Sequence, residues 1–216
     1  MLRTTNLAFR YEEDSPLLTF PDVECPALGQ LLLLGESGCG KTTLLHLLCG
    51  MLQPAQGTVQ INGQALDRMN EAERDAFRGQ NVGIVFQKSH FLQSLTVLEN
   101  LAMPAFLNGA TLDKHEGIHM LEQLGIAHKA HSRPRDLSTG EQQRAGIARA
   151  LIHRPSLVLA DEPTSALDDG STEAVIGLLE AQVSAAGATL VIVTHDQRLK
   201  DRFKNRLVLT AQYPSV

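Results

Sequence analysis

Gly35-Glu36-Ser37-Gly38-Cys39-Gly40-Lys41-Thr42-Thr43 decides the fold of this chain. The run is G-x-x-x-x-G-K-[ST], a phosphate-loop pattern. Its glycines, Gly35, Gly38 and Gly40, let the backbone turn sharply and bring N–H groups onto an anion with no Cβ in the way. Lys41 adds a cation for terminal phosphates, and the hydroxyl of Thr42 suits Mg²⁺. The flanks supply the context that the pattern requires. Leu31-Leu32-Leu33-Leu34 upstream reads as a buried strand, and Leu44-Leu45-His46-Leu47-Leu48 downstream reads as the first turns of a helix. Strand, glycine loop and helix in that order place phosphates at a helix N-terminus, where the dipole favours negative charge.

Working outward, alternation predicts a strand over 2–11, and Pro16 and Pro21 reduce 15–23 to an edge strand or loop. Residues 26–29 form a turn, the loop helix runs from Lys41 to about Met51, and 53–57 break it. Thr58-Val59-Gln60-Ile61 is a strand, and Asn62-Gly63 is the strongest hairpin signal in the chain. A short polar helix follows over 71–77, then a buried strand over 82–86. From Leu95 to Ile152 strand texture disappears and apolar residues fall at helical spacing. Strands return at 157–160 and 190–193, with a helix over 171–186 closed by Gly187. Unbroken Val, Ile and Leu runs alternating with helices predict an α/β fold of the P-loop NTPase type. It has a mainly parallel core sheet, a small antiparallel β part and a helical insertion. The expected layout is one domain over 1–216, with 1–87 and 153–216 as core and 88–152 as the helical subdomain.

Length and composition bound the function. With 216 residues there is room for one sizeable core. A formal net charge of −5 and no basic block argue against nucleic acid as a partner. Cys25, Cys39 and Cys49 lack metal-ligand spacing, and their odd number fits a reducing compartment. No run is apolar enough to span a bilayer, so any membrane work needs a second chain. His115 and His119, four apart, read as a solvated helix face rather than a metal pair. Cys39 is expected beside the phosphates with no catalytic duty, Cys49 packed inward, and Cys25 open to reagents.

Leu157-Val158-Leu159-Ala160-Asp161-Glu162-Pro163 sets two carboxylates at the end of a buried strand, the sheet edge where ligands bind in such folds. Asp161 is placed for Mg²⁺, and Glu162 is the candidate general base for a water attacking a γ-phosphate. Phosphoryl transfer needs mostly positioning and charge neutralisation, so these groups with Lys41 and Mg²⁺ suffice.

Leu137-Ser138-Thr139-Gly140-Glu141-Gln142-Gln143-Arg144 resembles the signature motif of ABC ATPases. Gln87 resembles that family's Q-loop glutamine, Ser165-Ala166-Leu167-Asp168 its D-loop, and His195 its switch histidine. Tyr11 resembles the aromatic that stacks on adenine, with Phe9 as the alternative. The resemblance covers nearly the whole chain. It implies ATP and Mg²⁺ held between two head-to-tail copies, and hydrolysis driving a membrane partner. The implied catalytic residues are Glu162, His195, Lys41 and Gln87, and the implied metal residues Thr42, Gln87 and Asp161. The implied nucleotide site is Tyr11, the whole loop 35–43 including Glu36, Ser37 and Cys39, and in trans Ser138, Gly140 and Glu141. Ser138 with Glu141 is also a capping box for the following helix. Thr139 stands where glycine is usual and resists positive φ, so this loop must keep negative φ.

A narrower similarity, on His131-Ser132-Arg133-Pro134, on Leu98 to Pro104 and on the short length, is to the lipoprotein-release, macrolide-export and cell-division ATPases. It implies an integral membrane permease docked in a groove around Gln87–Pro104. The protein would then be cytoplasmic, peripheral on the inner face of the membrane. Phe91, Leu92 and Leu95 are expected to line that covered surface. A regulatory cell-division ATPase and an importer subunit remain as alternatives.

Overall fold

A computed structural model describes residues 2–165 and 169–210. The chain opens with β1 (Leu2–Phe9), β2 (Leu18–Thr19), β3 (Glu24–Cys25) and β4 (Gln30–Gly35), followed by α1 (Lys41–Leu48). Next come β5 (Gln56–Ile61), β6 (Gln64–Ala65), α2 (Glu71–Asn81) and β7 (Val82–Val85). The helices α3 (Val97–Leu107), α4 (Lys114–Gln123) and α5 (Thr139–Leu151) fall together before β8 (Leu157–Asp161). The chain then forms α6 (Asp169–Ala185), β9 (Thr189–Thr194) and β10 (Arg206–Leu209).

Two sheets result. One has the order β10-β4-β9-β8-β7, with every pairing parallel. The other is antiparallel and runs β2-β1-β5-β6, with β3 also on β1. Period-2 alternation divides the core between the faces of the parallel sheet. Leu32, Leu34, Val158, Ala160, Leu190 and Ile192 pack toward α3–α6. Leu31, Leu33, Leu157, Leu159, Val191 and Val193 pack toward α1 and the antiparallel sheet. Leu101 of α3 and Leu121 of α4 belong to the same apolar cluster as the sheet's own residues. The inserted helices therefore share the sheet's core.

The Asn62-Gly63 turn joins β5 to β6, with φ of 52° and 82°. Gly187 takes φ 65° just past α6, as a C-terminal glycine should. Several boundaries differ from expectation: β1 ends at Phe9, β5 begins at Gln56, and two helix ends have a visible cause. α1 stops at Leu48, because Gly50 turns at φ 70° before Met51 is reached. α2 runs on to Asn81, four residues past Phe77, since Arg78 bonds the carbonyl of Gly50 and the side chain of Asp75. One box opens three helices: Asn70 with Glu73, Thr96 with Glu99, and Ser138 with Glu141.

Candidate nucleotide site

β4, β9 and β8 are neighbours in the parallel sheet, so their C-terminal ends meet at one edge. The phosphate loop leaves β4, Asp161 and Glu162 end β8, and His195 follows β9. Ser37, Gly38 and Gly40 to Thr43 of the loop, with Glu162 and His195, line a cleft of about 460 Å³ that also takes in Gln87, and Asp161 adjoins it through Thr42. Gly40 caps α1 at φ 90°, a left-handed conformation that a Cβ would oppose. No side chain caps that end, so the first-turn N–H groups are left for an anion.

Lys41 is buried, and its Nζ donates to the carbonyls of Gly35 and Glu36 at 2.9 Å each. The same nitrogen lies 3.5 Å from Oε1 of Glu162. Thr42 donates its hydroxyl to Oδ2 of Asp161 at 3.2 Å, while Oδ1 of Asp161 is buried without a partner. Burial pushes the Asp161 carboxyl up, against the Thr42 bond, and the neighbouring Glu162 adds to the rise. A buried carboxylate oxygen left open beside a hydroxyl is a hard oxygen donor set, and it fits Mg²⁺.

Glu162 sits at φ 45°, in the left-handed region that a non-glycine residue rarely occupies. Its Oε2 accepts from the Thr194 hydroxyl at 2.8 Å and the His195 amide at 3.2 Å. Its Oε1 meets Nδ1 of His195 at 2.8 Å. Burial raises the carboxyl, but the His195 and Thr194 bonds together outweigh it and hold Glu162 below the usual range. Gln87 donates from Nε2 to the Ser165 hydroxyl at 3.2 Å.

Tyr11 is 63% exposed, and its hydroxyl lies 2.7 Å from that of Thr43. Phe9 is buried and meets the Tyr11 ring edge-on at 4.8 Å. Tyr11 therefore has an open face for a base and Phe9 has none. Ser138 and Gly140 do not line the cleft. Ser138 instead caps α5, and the Glu141 carboxylate accepts from its amide and hydroxyl at 2.8 and 2.9 Å. Those two bonds, with Lys129 and His128 nearby, bring Glu141 down to about 2. Its side chain is thus committed to the cap. Thr139 is the first residue of α5 and keeps negative φ. Ala166, Leu167 and Asp168 of the expected D-loop lie outside the described residues.

Three placements correct the sequence reading. The Cys39 sulfur lies over Gly35, where a Cβ would come within 2.5 Å of it, and it opens to a cavity lined by Lys200 and Leu209. It is absent from the nucleotide cleft, so only its backbone is available to phosphates. Cys25 is fully buried rather than open to reagents. Phe91 is core: the Arg149 guanidinium stands 4.7 Å over its ring while donating to the carbonyls of Ser89 and His90.

A groove overlaps part of the stretch expected to dock a partner, with different walls. Its 860 Å³ lie between α2 and α3, with Arg78, Phe86, Leu92, Met103 and Leu107 on its surface. Gln87 faces the nucleotide cleft and the α2 wall had not been expected. Asn100 shapes the rim, since its amide bonds Leu92, Leu95 and Thr96 backbone groups.

A family model described as ABC transporter matches residues 21–165. The chain belongs to the ABC transporter family. It is an ATP-binding, ATP-hydrolysing subunit of that family. This ABC ATPase is 40% identical over 97% of its length to the lipoprotein-releasing system ATP-binding protein LolD of Psychrobacter arcticus, and covers 95% of that protein. It is 43% identical to LolD of Legionella pneumophila, over 83% of this chain and 80% of that one. A dimeric structure of the ATP-binding cassette MJ0796, in a post-hydrolysis state with ADP and Pi, superposes with a TM-score of 0.87. It shares 28% identity over 98% of this chain and 95% of its own.

Proposed function

We propose that this ABC ATPase powers an ATP-driven lipoprotein-releasing complex, as a homodimer on the inner face of the membrane. The observation that carries this reading is the 40% identity to LolD over 97% of the chain, joined to the cleft that gathers Lys41, Glu162 and His195, with Asp161 bonded to Thr42 beside it. In the cleft, the amides of 38–43 and Lys41 hold the phosphates, and Tyr11 supports the base. Thr42 and Asp161 hold Mg²⁺, which neutralises phosphate charge when bound. Gln87 orients the attacking water, Glu162 takes its proton, and His195 donates to the γ-phosphate. The exposed Ser138 and the half-buried Gly140 complete the site of the other copy.

The groove between α2 and α3 receives a helix of an integral membrane permease. Leu92, 49% exposed, and Leu107, 75% exposed, give it the apolar surface that such a helix covers. Among the described residues no helix is long and apolar enough to cross a membrane. The permease therefore supplies the span. The test is ATP-dependent release of a lipoprotein from proteoliposomes holding this chain and its co-purified permease. Release that ceases with Lys41→Ala supports the reading; ATP turnover with no release from lipoprotein-loaded vesicles overturns it.

A further inference from the structure

The two oxygens of the Glu162 carboxylate are held by different kinds of donor. Oε2 is held from behind, by the Thr194 hydroxyl at 2.8 Å and the His195 amide at 3.2 Å. Thr194 ends β9 and is fully buried. Its oxygen also accepts from the Asp196 amide at 3.0 Å. A hydroxyl has one hydrogen, and an N–H can only donate, so Thr194 gives that hydrogen to Glu162. Oε1 is held from the front, by Nδ1 of His195 at 2.8 Å and by Lys41 at 3.5 Å. Both of those groups line the nucleotide cleft.

The difference decides which oxygen can work. A γ-phosphate entering the cleft brings negative charge that competes with Glu162 for Lys41 and His195. It cannot reach Thr194, which is sealed in the sheet. Nucleotide binding thus releases Oε1 and leaves Oε2 fixed. We propose that Thr194 is a positioning residue that pins Oε2 of Glu162, so that Oε1 is the oxygen that accepts the proton of the attacking water. This rests on the reading of Glu162 as the general base. In the step, the water oxygen bonds to the γ-phosphorus and its proton passes to Oε1. The bond from that phosphorus to the β–γ bridging oxygen breaks, and ADP leaves with the electron pair.

Thr194→Val keeps the shape and removes the donor, and Thr194→Ser keeps the donor. Thr194→Val should lower kcat about tenfold, the worth of one buried hydrogen bond to a charged group. KM for ATP should stay within twofold, and Thr194→Ser should recover most of the loss. A readout free of turnover is binding of the fluorescent analogue TNP-ATP, which Thr194→Val should leave unchanged. Added to Glu162→Gln, Thr194→Val should cost nothing further, because the group it positions is gone. Thr194→Ala makes the same comparisons should the valine variant fail to fold. Wild-type kcat in Thr194→Val, or in Thr194→Ala where it stands in, overturns the proposal, as does an equal loss in the Glu162→Gln background or a serine variant as slow as the valine one. Near-normal turnover by Glu162→Gln itself would remove the base and this proposal together, whatever Thr194→Val does.

Discussion

Nδ1 of His195 lies 2.8 Å from Oε1 of Glu162, and the Glu162 amide donates to the carbonyl of Val193 on the same neighbouring strand. The two side chains thus meet because β8 and β9 run parallel and adjacent, with Asp161 paired to Val193. The sheet places the candidate base and the candidate switch histidine together without ligand. What nucleotide must change is the set of donors around them, not the backbone that carries them.

Ser138 and Gly140 stand outside the cleft that holds Lys41, as the proposed site shared by two copies requires. Lys41→Ala and Ser138→Arg should each lower ATPase activity at least about a hundredfold, since each removes transition-state contacts worth several kcal/mol. Mixing the two variants should restore activity, because the heterodimer keeps one intact site. Turnover in a titration of one variant against the other is the measurement. A crosslink between positions 41 and 138 of opposite chains would distinguish silent mixtures caused by obligatory cooperation from the absence of a trans site.

Leu92→Asp places a charge on the groove wall without entering the core, since Leu92 is 49% exposed. Stability to urea and basal ATPase should stay near wild type, within about 0.5 kcal/mol for such a surface site. Co-purification with the permease from detergent-solubilised membranes should be lost. Retained co-purification would move the docking surface elsewhere.

The three thiols should separate under a maleimide. Burial pushes Cys25 and Cys49 up to about 11, so both react slowly at neutral pH. Cys39 is half-buried and opens behind the phosphate loop. Mass spectrometry should find Cys39 modified first, with Mg-ATP giving little protection, because the sulfur does not face the cleft. Strong protection by Mg-ATP would put the sulfur on the phosphate side.

The parallel sheet, the hairpin and the helical insertion were legible because each is written in local period and punctuation. The loop 35–43 and the pair Asp161-Glu162 were legible as motifs. Their bond was not: Thr42 and Asp161 are 119 residues apart, and only strand order joins them. Thr194 carried no sequence signal either, since its importance lies in a contact across two strands. The direction of the Cys39 side chain was misread because a glycine-flanked loop leaves it undetermined by spacing. The α2 wall was missed because its polar sequence reads as an ordinary solvated helix.

Asp196 supplies a pH dependence with a definite sign. The Arg198 bonds bring its carboxyl down to about 2, and the Thr164 hydroxyl at 2.9 Å adds to them. A carboxyl lowered in the folded state stabilises fully above its ordinary value, about 3.9, and loses that contribution as pH falls through about 2. The urea midpoint of wild type should exceed that of Asp196→Asn at pH 6, and the gap should narrow toward pH 2.5. A gap that widens on acidification would contradict the assignment.

The central claim is that Glu162 is the base in an ATP site that two copies share. The most direct measurement is the ATPase rate of Glu162→Gln, taken together with its size-exclusion profile in Mg-ATP. The account predicts a kcat lowered by about 10² to 10⁴ with ATP binding intact. It also predicts a stable dimer that appears with Mg-ATP and disperses with ADP. A variant that turns over ATP near the wild-type rate and stays monomeric in Mg-ATP would contradict it.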